Sequence, residues 1–359
     1  MITVGLDFGT HQTKICIERK EGVELEYSFV KFNDSKGGLK YTLPTVIGID
    51  EDTRLTYGFL PHNYKGRIIR YFKQSAFCMS SSSNALSQQE SLFYSILYVA
   101  NLLFDLEEQY GQMFTIQMGA PADGSSIVMA KKIATTIVAS AYRLVEDVFE
   151  NDKKSFLNAT LQTLKELTEI VEYSDSIKEE YGLLVFPEAY ACLKPLTSQG
   201  KISYGMSLMI DVGGGTTDIS FFTVLNGKPQ VYDYFSINKG LNYLTCAENR
   251  DEKILNSNIK NESEINQQRR NLFKEEVKNI CNNIQNKLIS EFRLQTTLDS
   301  GRLFDALKNR PLVYSGGGST FSSLRVGYAG FVDKRQMSEK EWDVKSMPQI
   351  TEIKSKVLL

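Results

Sequence analysis

The chain has 359 residues, of which 42% are apolar and 23% charged, and its formal net charge is −2. That length accommodates two domains of ordinary size, and that charge gives no electrostatic reason to expect a nucleic acid or a general membrane surface as partner. Two histidines and five cysteines without CxxC spacing exclude a histidine-rich metal centre and a disulfide framework. The cysteines read as reduced core or half-buried residues of a cytoplasmic protein. No stretch reaches the roughly twenty apolar residues of a membrane span, and Asp7 and Lys14 interrupt any signal-like run at the start.

The first element is a hairpin. Ile2-Thr3-Val4-Gly5-Leu6 runs into Asp7, Phe8, Gly9 and Thr10, then His11, Gln12, Thr13 and Lys14, before a second apolar run, Ile15-Cys16-Ile17. Residues 23–32 (VELEYSFVKF) alternate as a third strand, and 33–38 (NDSKGG) read as a turn. Thr42-Leu43-Pro44-Thr45 leads into a strand and then a glycine-containing turn at Gly58. Residues 67–77 (RIIRYFKQSAF) form an amphipathic element carrying Lys73, whose plain reading is a solvated lysine. A serine-rich loop at 79–84 precedes a helix over 85–110, with Leu92, Ile96, Val99, Leu102, Leu103 and Leu106 at helical spacing. A strand from Phe114 ends in Gly119-Ala120-Pro121-Ala122, and helices are expected over 125–150 and, more polar, within 151–173. Residues 182–191 (GLLVFPEAYA) pass from a strand into a helix start at Glu188, where a carboxylate is favoured by the dipole alone.

Residues 208–224 (LMIDVGGGTTDISFFTV) repeat the opening device: apolar strand, Asp211, Gly213, Gly214, Gly215, Thr216, Thr217, Asp218, apolar strand. Glycines let successive backbone N–H groups close on an anion, and an acid at the strand end can sit near the cation that neutralises it. The bland alternative is an ordinary glycine-rich hairpin. A strand at 229–237 leads to Asn238-Lys239-Gly240-Leu241-Asn242, and 248–268 is charged, Asn-rich and exposed in character. A helix over 274–292 places Val277, Ile280, Cys281, Ile284 and Leu288 on one face and Asn282, Gln285 and Asn286 on another. An apolar strand then delivers a third glycine loop, Ser315, Gly316, Gly317, Gly318, Ser319 and Thr320. Residues 339–359 are charged and carry Trp342.

Together, and in this order over almost the whole chain, the three loops resemble the two phosphate loops and the adenosine loop of the actin, sugar kinase and 70-kDa heat-shock chaperone superfamily. The resemblance implies an α/β fold of two ribonuclease-H-like (actin-like) ATPase domains facing each other across a nucleotide cleft. The first would cover 1–195, with an inserted segment at about 33–112 and a helical elaboration at about 151–180. The second would cover 196–345, followed by a short tail, 346–359. ATP or ADP and Mg²⁺ are the implied cofactors. Gly9, Thr10, His11, Gln12 and Lys14 fall to the first phosphate loop, and Gly213, Gly214, Gly215, Thr216 and Thr217 to the second. Gly240 lies in the second connection, where Lys239 stands in place of a glycine usual in the family. Gly316, Gly317, Gly318 and Ser319 would sit under the adenosine, with Gln285 on the helix that faces adenine. Asp7 and Asp211 would hold a hydrated Mg²⁺, Glu188 would orient the attacking water, and Lys73 would stabilise charge on the γ-phosphate. Asp218 reads as structural, bonding Thr216 or the turn amides.

The function implied is a slow, Mg²⁺-dependent ATPase similar to the chaperone nucleotide-binding half, without a substrate module, working by nucleotide-driven domain closure. The alternatives are a filament-forming actin-like protein of the plasmid-segregation type and a nucleotide sensor or small-molecule kinase. For the kinase, Asp123 is the only tempting catalytic acid. Either a separate protein or self-association would read the nucleotide state.

Overall fold

A computed structural model describes residues 2–34, 36–61, 63–77, 86–121, 127–198, 202, 205–245, 262–295 and 312–325, with backbone alone at 195, 198, 205, 206, 225, 285, 288–295 and 312. These divide into two compact units, one within Met1–Glu188 and one within Ala189–Ile353. The serine-rich loop, His62, Cys78, Asp123, Cys246, most of 248–268 and the tail with Trp342 lie outside the described residues.

The first unit opens with β1 (Ile2–Phe8), β2 (Gln12–Glu21) and β3 (Glu24–Phe29), followed by the two-residue strands β4 (Phe32–Asn33), β5 (Leu39–Lys40) and β6 (Leu43–Pro44). Next come β7 (Val46–Ile49), β8 (Leu55–Tyr57), β9 (Arg67–Arg70), α1 (Phe72–Ala76), α2 (Gln88–Tyr110), β10 (Phe114–Ala120) and α3 (Ile127–Arg143). A π-helical turn (Leu144–Val148), α4 (Lys153–Asn158), α5 (Leu161–Leu167), α6 (Asp175–Glu180) and β11 (Leu183–Pro187) complete it. The main sheet runs β11-β10-β1-β2-β3, with β6 added beside β2. β1, β10 and β11 are parallel, while β2 is antiparallel to both β1 and β3. Val4, Leu6, Phe8, Ile116 and Met118 alternate into a core closed by the apolar stripes of α2 and α3. A smaller sheet, β8-β7-β9, stands apart from it.

The sequence dictates where α2 begins and ends. Ser87 accepts from the Glu90 amide at 3.2 Å, and Glu90 accepts back from the Ser87 amide at 2.9 Å, a capping box. Gly111, at φ +76°, stops the helix. Two helical expectations are corrected. The helix over 125–150 is regular only to Arg143 and then widens into the π-turn, ending where Glu150 and Asn151 take left-handed φ values of 47° and 64°. Within 151–173 one helical pattern becomes two short helices, because Thr160 leaves the helix to cap α5 and the Leu161 amide bonds the Thr53 carbonyl at 2.8 Å.

The second unit contains α7 (Glu188–Ser198, whose first residue closes the first unit), β12 (Gly205–Val212), β13 (Thr217–Leu225), β14 (Lys228–Ile237), α8 (Leu241–Leu244), α9 (Gln267–Gln295) and β15 (Leu312–Ser315). Its sheet runs β14-β13-β12-β15, with β12 antiparallel to β13 and parallel to β15. β14 joins β13 through Asn226-Gly227, both at positive φ, the signature of a two-residue hairpin turn. Period-two alternation splits the sheet into two apolar faces. Leu208, Ile210, Val212, Ile219 and Phe221 pack with Phe273, Val277, Cys281 and Ile284 of α9. Met209, Phe222, Val224 and Val313 pack with Ala189, Leu193 and Leu196 of α7. Helix α9 starts earlier than the apolar pattern suggests, because the Asn266 side chain accepts from the Arg269 amide at 3.0 Å. The mixed α/β architecture implied by the resemblance is present in both units, and the strand plan of the second repeats that of the first through four strands.

Candidate functional site

In the first unit, Asp7 lies opposite Lys14 and Phe8 opposite Thr13, which leaves Gly9 to Gln12 as the four residues of the turn. A Cβ at Gly9 would come within 2.3 Å of the Gln12 carbonyl oxygen, so this turn requires a glycine. Lys14 donates to Asp7 at 2.8 Å. The turn is braced from beneath by Thr45, which the sequence placed only in a pre-strand segment. Its hydroxyl donates to the Gly9 carbonyl at 2.8 Å and lies 3.1 Å from the buried Thr13 hydroxyl, and its amide donates to the His11 carbonyl at 2.9 Å. Tyr98 on α2, fully buried, donates to the Pro44 carbonyl at 3.0 Å. Burial keeps its hydroxyl protonated, with its pKa well above the usual value.

Lys73 and Glu188, 115 residues apart, are in direct contact. The lysine is not solvated: only 3% of its side chain is exposed, and its ammonium also lies 5.8 Å above the Phe8 ring. Phe8 in turn stacks on Tyr98. Glu188 is the first residue of α7, and a Cβ at Gly119 would lie 3.0 Å from its Cγ. The helix-start reading and the pairing with Lys73 therefore hold for the same side chain. An ammonium this deep needs its carboxylate, since an isolated buried charge is strongly disfavoured.

In the second unit the register is the same. Asp211 lies opposite Asp218 and Val212 opposite Thr217, again with four residues, Gly213 to Thr216, between. The Gly213 amide closes the turn on the Thr216 carbonyl at 2.9 Å. The brace here is α8: the Leu241 and Asn242 amides donate to the Gly213 and Gly214 carbonyls at 3.0 and 2.8 Å. A Cβ at Gly240 would lie 2.6 Å from both of those oxygens. Thr217 donates to the Lys239 carbonyl at 2.8 Å, and the Lys239 side chain pairs with Glu276. Lys239 thus supports the connection through its backbone and turns its charge to α9. The third loop meets the second at Asp211. Gly316, at φ +79°, brings its Cα so close that a Cβ would fall 2.3 Å from Asp211 Oδ1. Gly318 packs on Val212 in the same way, and Ser319 donates to the Gly316 carbonyl at 2.6 Å. Gln285 lies in α9 with its side chain outside the described residues.

The two acids differ in their neighbours. Asp7 faces a lysine, whereas Asp211 faces another carboxylate, and like charges directly opposite are destabilising without compensation. Two donors provide it: Tyr234 donates to Asp218 at 2.8 Å, and the Cys192 thiol to Asp211 Oδ2 at 3.7 Å. Asp218, expected to serve the turn itself, thus also takes a donor from β14. Neither Tyr234 nor Cys192 was legible beforehand, since both reach the hairpin from other elements. Oxygen donors in a locally negative setting suit a hard divalent cation, so the residues at Asp211 fit Mg²⁺; among the described residues no cluster of three or more ligating side chains occurs. Cys16 and Cys281 are buried, and burial pushes each thiol up to about 12, which removes them as nucleophiles.

No protein-family model matches the chain, and no curated protein does. Among solved structures it is similar to MreB5 of Spiroplasma citri bound to ADP, at 14% identity and a TM-score of 0.33, over 68% of this chain and 54% of that one. A likeness this loose assigns no family.

Proposed function

We propose that the chain is an actin-like ATPase: it binds ATP and ADP with Mg²⁺ and hydrolyses ATP slowly. The observation that supports this most is the duplication. An acid, one further residue, a four-residue turn beginning with glycine, and a buried threonine recur at matching register in both units, and each turn is braced from outside its own hairpin. An unremarkable glycine hairpin has no reason to be braced twice in the same place.

In this reading Gly9, Thr10, His11, Gln12 and Lys14, with Gly213 to Thr217, receive the phosphates through backbone amides and the lysine. Gly240 keeps the second turn in shape, and Gly316 to Ser319 carry the adenosine, with Gln285 toward the base. Asp211 would hold Mg²⁺ with Asp7 assisting, and the metal when bound would neutralise phosphate charge. Glu188 orients water for attack on the γ-phosphate, and Lys73 fixes that carboxylate while adding positive charge. Loss of the γ-phosphate would release one unit from the other, an opening of the kind nucleotide clefts use. The Lys73–Glu188 contact favours the chaperone-like form, because that form singled out both residues. A cytoplasmic setting, and a separate protein or a second copy as reader of the nucleotide state, complete the proposal.

The test is sedimentation of the purified chain without nucleotide, with ADP and with ATP, each plus Mg²⁺, with phosphate release followed in the same tubes. Slow release from a soluble species, abolished by Asp211→Ala, supports the reading. Polymer seen only with ATP moves it to a filament-forming actin homologue. Binding without release makes it a nucleotide sensor. Absence of binding overturns it.

A further inference from the structure

Away from the hairpins, the last turn of α2 carries a carboxylate that the proposed chemistry does not use. Glu107 is 8% exposed, and among the described residues neither of its carboxylate oxygens has a partner in good hydrogen-bond geometry, the nearest donor being the Gln112 side chain. It stands at the C-terminal end of a 23-residue helix, where the dipole disfavours an anion, and no basic residue occupies that turn. Facing it are Glu146 from the π-turn, Tyr142 from α3 and the uncharged Gln112 from the following loop. Tyr142 is buried and stacks on Tyr181 at 5.1 Å. Asp147 and Glu180 add further negative charge around Tyr181. The nearby cations are engaged elsewhere: Arg143 pairs with Asp147 and Glu169, Lys153 pairs with Asp105, and Arg19 lies over the Tyr110 ring.

Two neighbouring carboxylates, one of them buried and without a cation, need a positive ligand between them or a proton on one of them. We infer that Glu107 and Glu146 form a proton-binding site that locks the end of α2 onto the π-turn when Glu107 is neutral. A π-turn is the kind of helical irregularity often found where a side chain does specific work. Burial first, and the Glu146 charge second, push the Glu107 carboxyl from about 4.5 up to about 7. Glu146 is raised as well, by burial and by Asp147.

The sign follows from linkage. Between the unfolded value and about 7 the folded chain holds a proton that the unfolded chain has lost, so stability falls as pH rises through that window and levels off above it. The contact is complete at mildly acidic pH and weakened at alkaline pH, opposite to the usual behaviour of a paired carboxylate.

The experiment is urea unfolding of the full chain, free of nucleotide, from pH 5.5 to 8.5. It compares the natural sequence with Glu107→Gln, which copies the neutral acid in shape, and with Glu146→Gln. The unfolding midpoint of the natural chain should drop from pH 5.5 to about 7 and level off above it. Glu107→Gln should flatten that fall and raise the midpoint at pH 8, and Glu146→Gln should move it to lower pH. A Glu107→Gln variant with the same fall as the natural chain overturns the inference. So does a midpoint at pH 8 that millimolar Ca²⁺ or Mg²⁺ raises in the natural chain but not in Glu107→Gln, since that result assigns the site to a metal ion.

Discussion

Lys73 and Glu188 form a pair whose members cannot be judged singly. Replacing Lys73 by Met takes the buried ammonium away from the Glu188 carboxylate. A cost of about 3 kcal/mol is expected, the lower end of the range for breaking a buried pair, because Glu188 keeps a quarter of its side chain exposed. The double variant Lys73→Met, Glu188→Gln should recover most of that loss in urea unfolding, and an additive result would contradict the pairing. Glu188→Gln alone should slow phosphate release roughly 10²-fold or more while ADP affinity holds, measured by single-turnover release beside calorimetric titration. The sequence offered both residues as candidates but could not show that they touch. Contacts over 115 residues are set by how elements pack, and no local pattern encodes them.

Among the elements, the glycine loops separate conformational need from spatial need. Gly316→Ala combines a left-handed φ with a Cβ driven into Asp211, whereas Gly213→Ala meets only a 3.1 Å contact. The first should cost about 1–3 kcal/mol and abolish Mg²⁺-dependent ADP binding; the second should bind with modest loss. Gly240→Ala should resemble the first in binding, because its Cβ would push the start of α8 away from the turn it braces. Parallel ADP titrations of the three variants check this ordering. The hairpins, their acids and their glycines were legible because strand, turn and strand are neighbours in sequence and leave a short-range pattern. The braces were not: Thr45, α8 and Tyr98 arrive from elsewhere, and so does Tyr234, which donates to Asp218. Helix ends misled where capping overrode periodicity, as at Thr160 and Asn266.

For the whole molecule, a nucleotide that binds only the folded chain must stabilise it. ADP with Mg²⁺ at a hundred times its dissociation constant should add about 2.7 kcal/mol. The shift in thermal midpoint should vanish in Asp211→Ala, whose own midpoint without ligand serves as the control. The mixed α/β make-up of the two units is what the resemblance implies, while the strand order within each sheet was not read from the sequence.

Thr45 sits one residue before β7, and its hydroxyl and amide both hold the Gly9 turn. The strand and the turn are therefore one mechanical piece. Amide hydrogens of Val46–Ile49, paired with β8 and β9, should exchange with deuterated solvent more slowly once the turn is filled. Thr45→Val, which removes the hydroxyl with little change in shape, should uncouple the two. A segment chosen for its distance from the phosphates would then serve as an isotopic gauge of whether they are there.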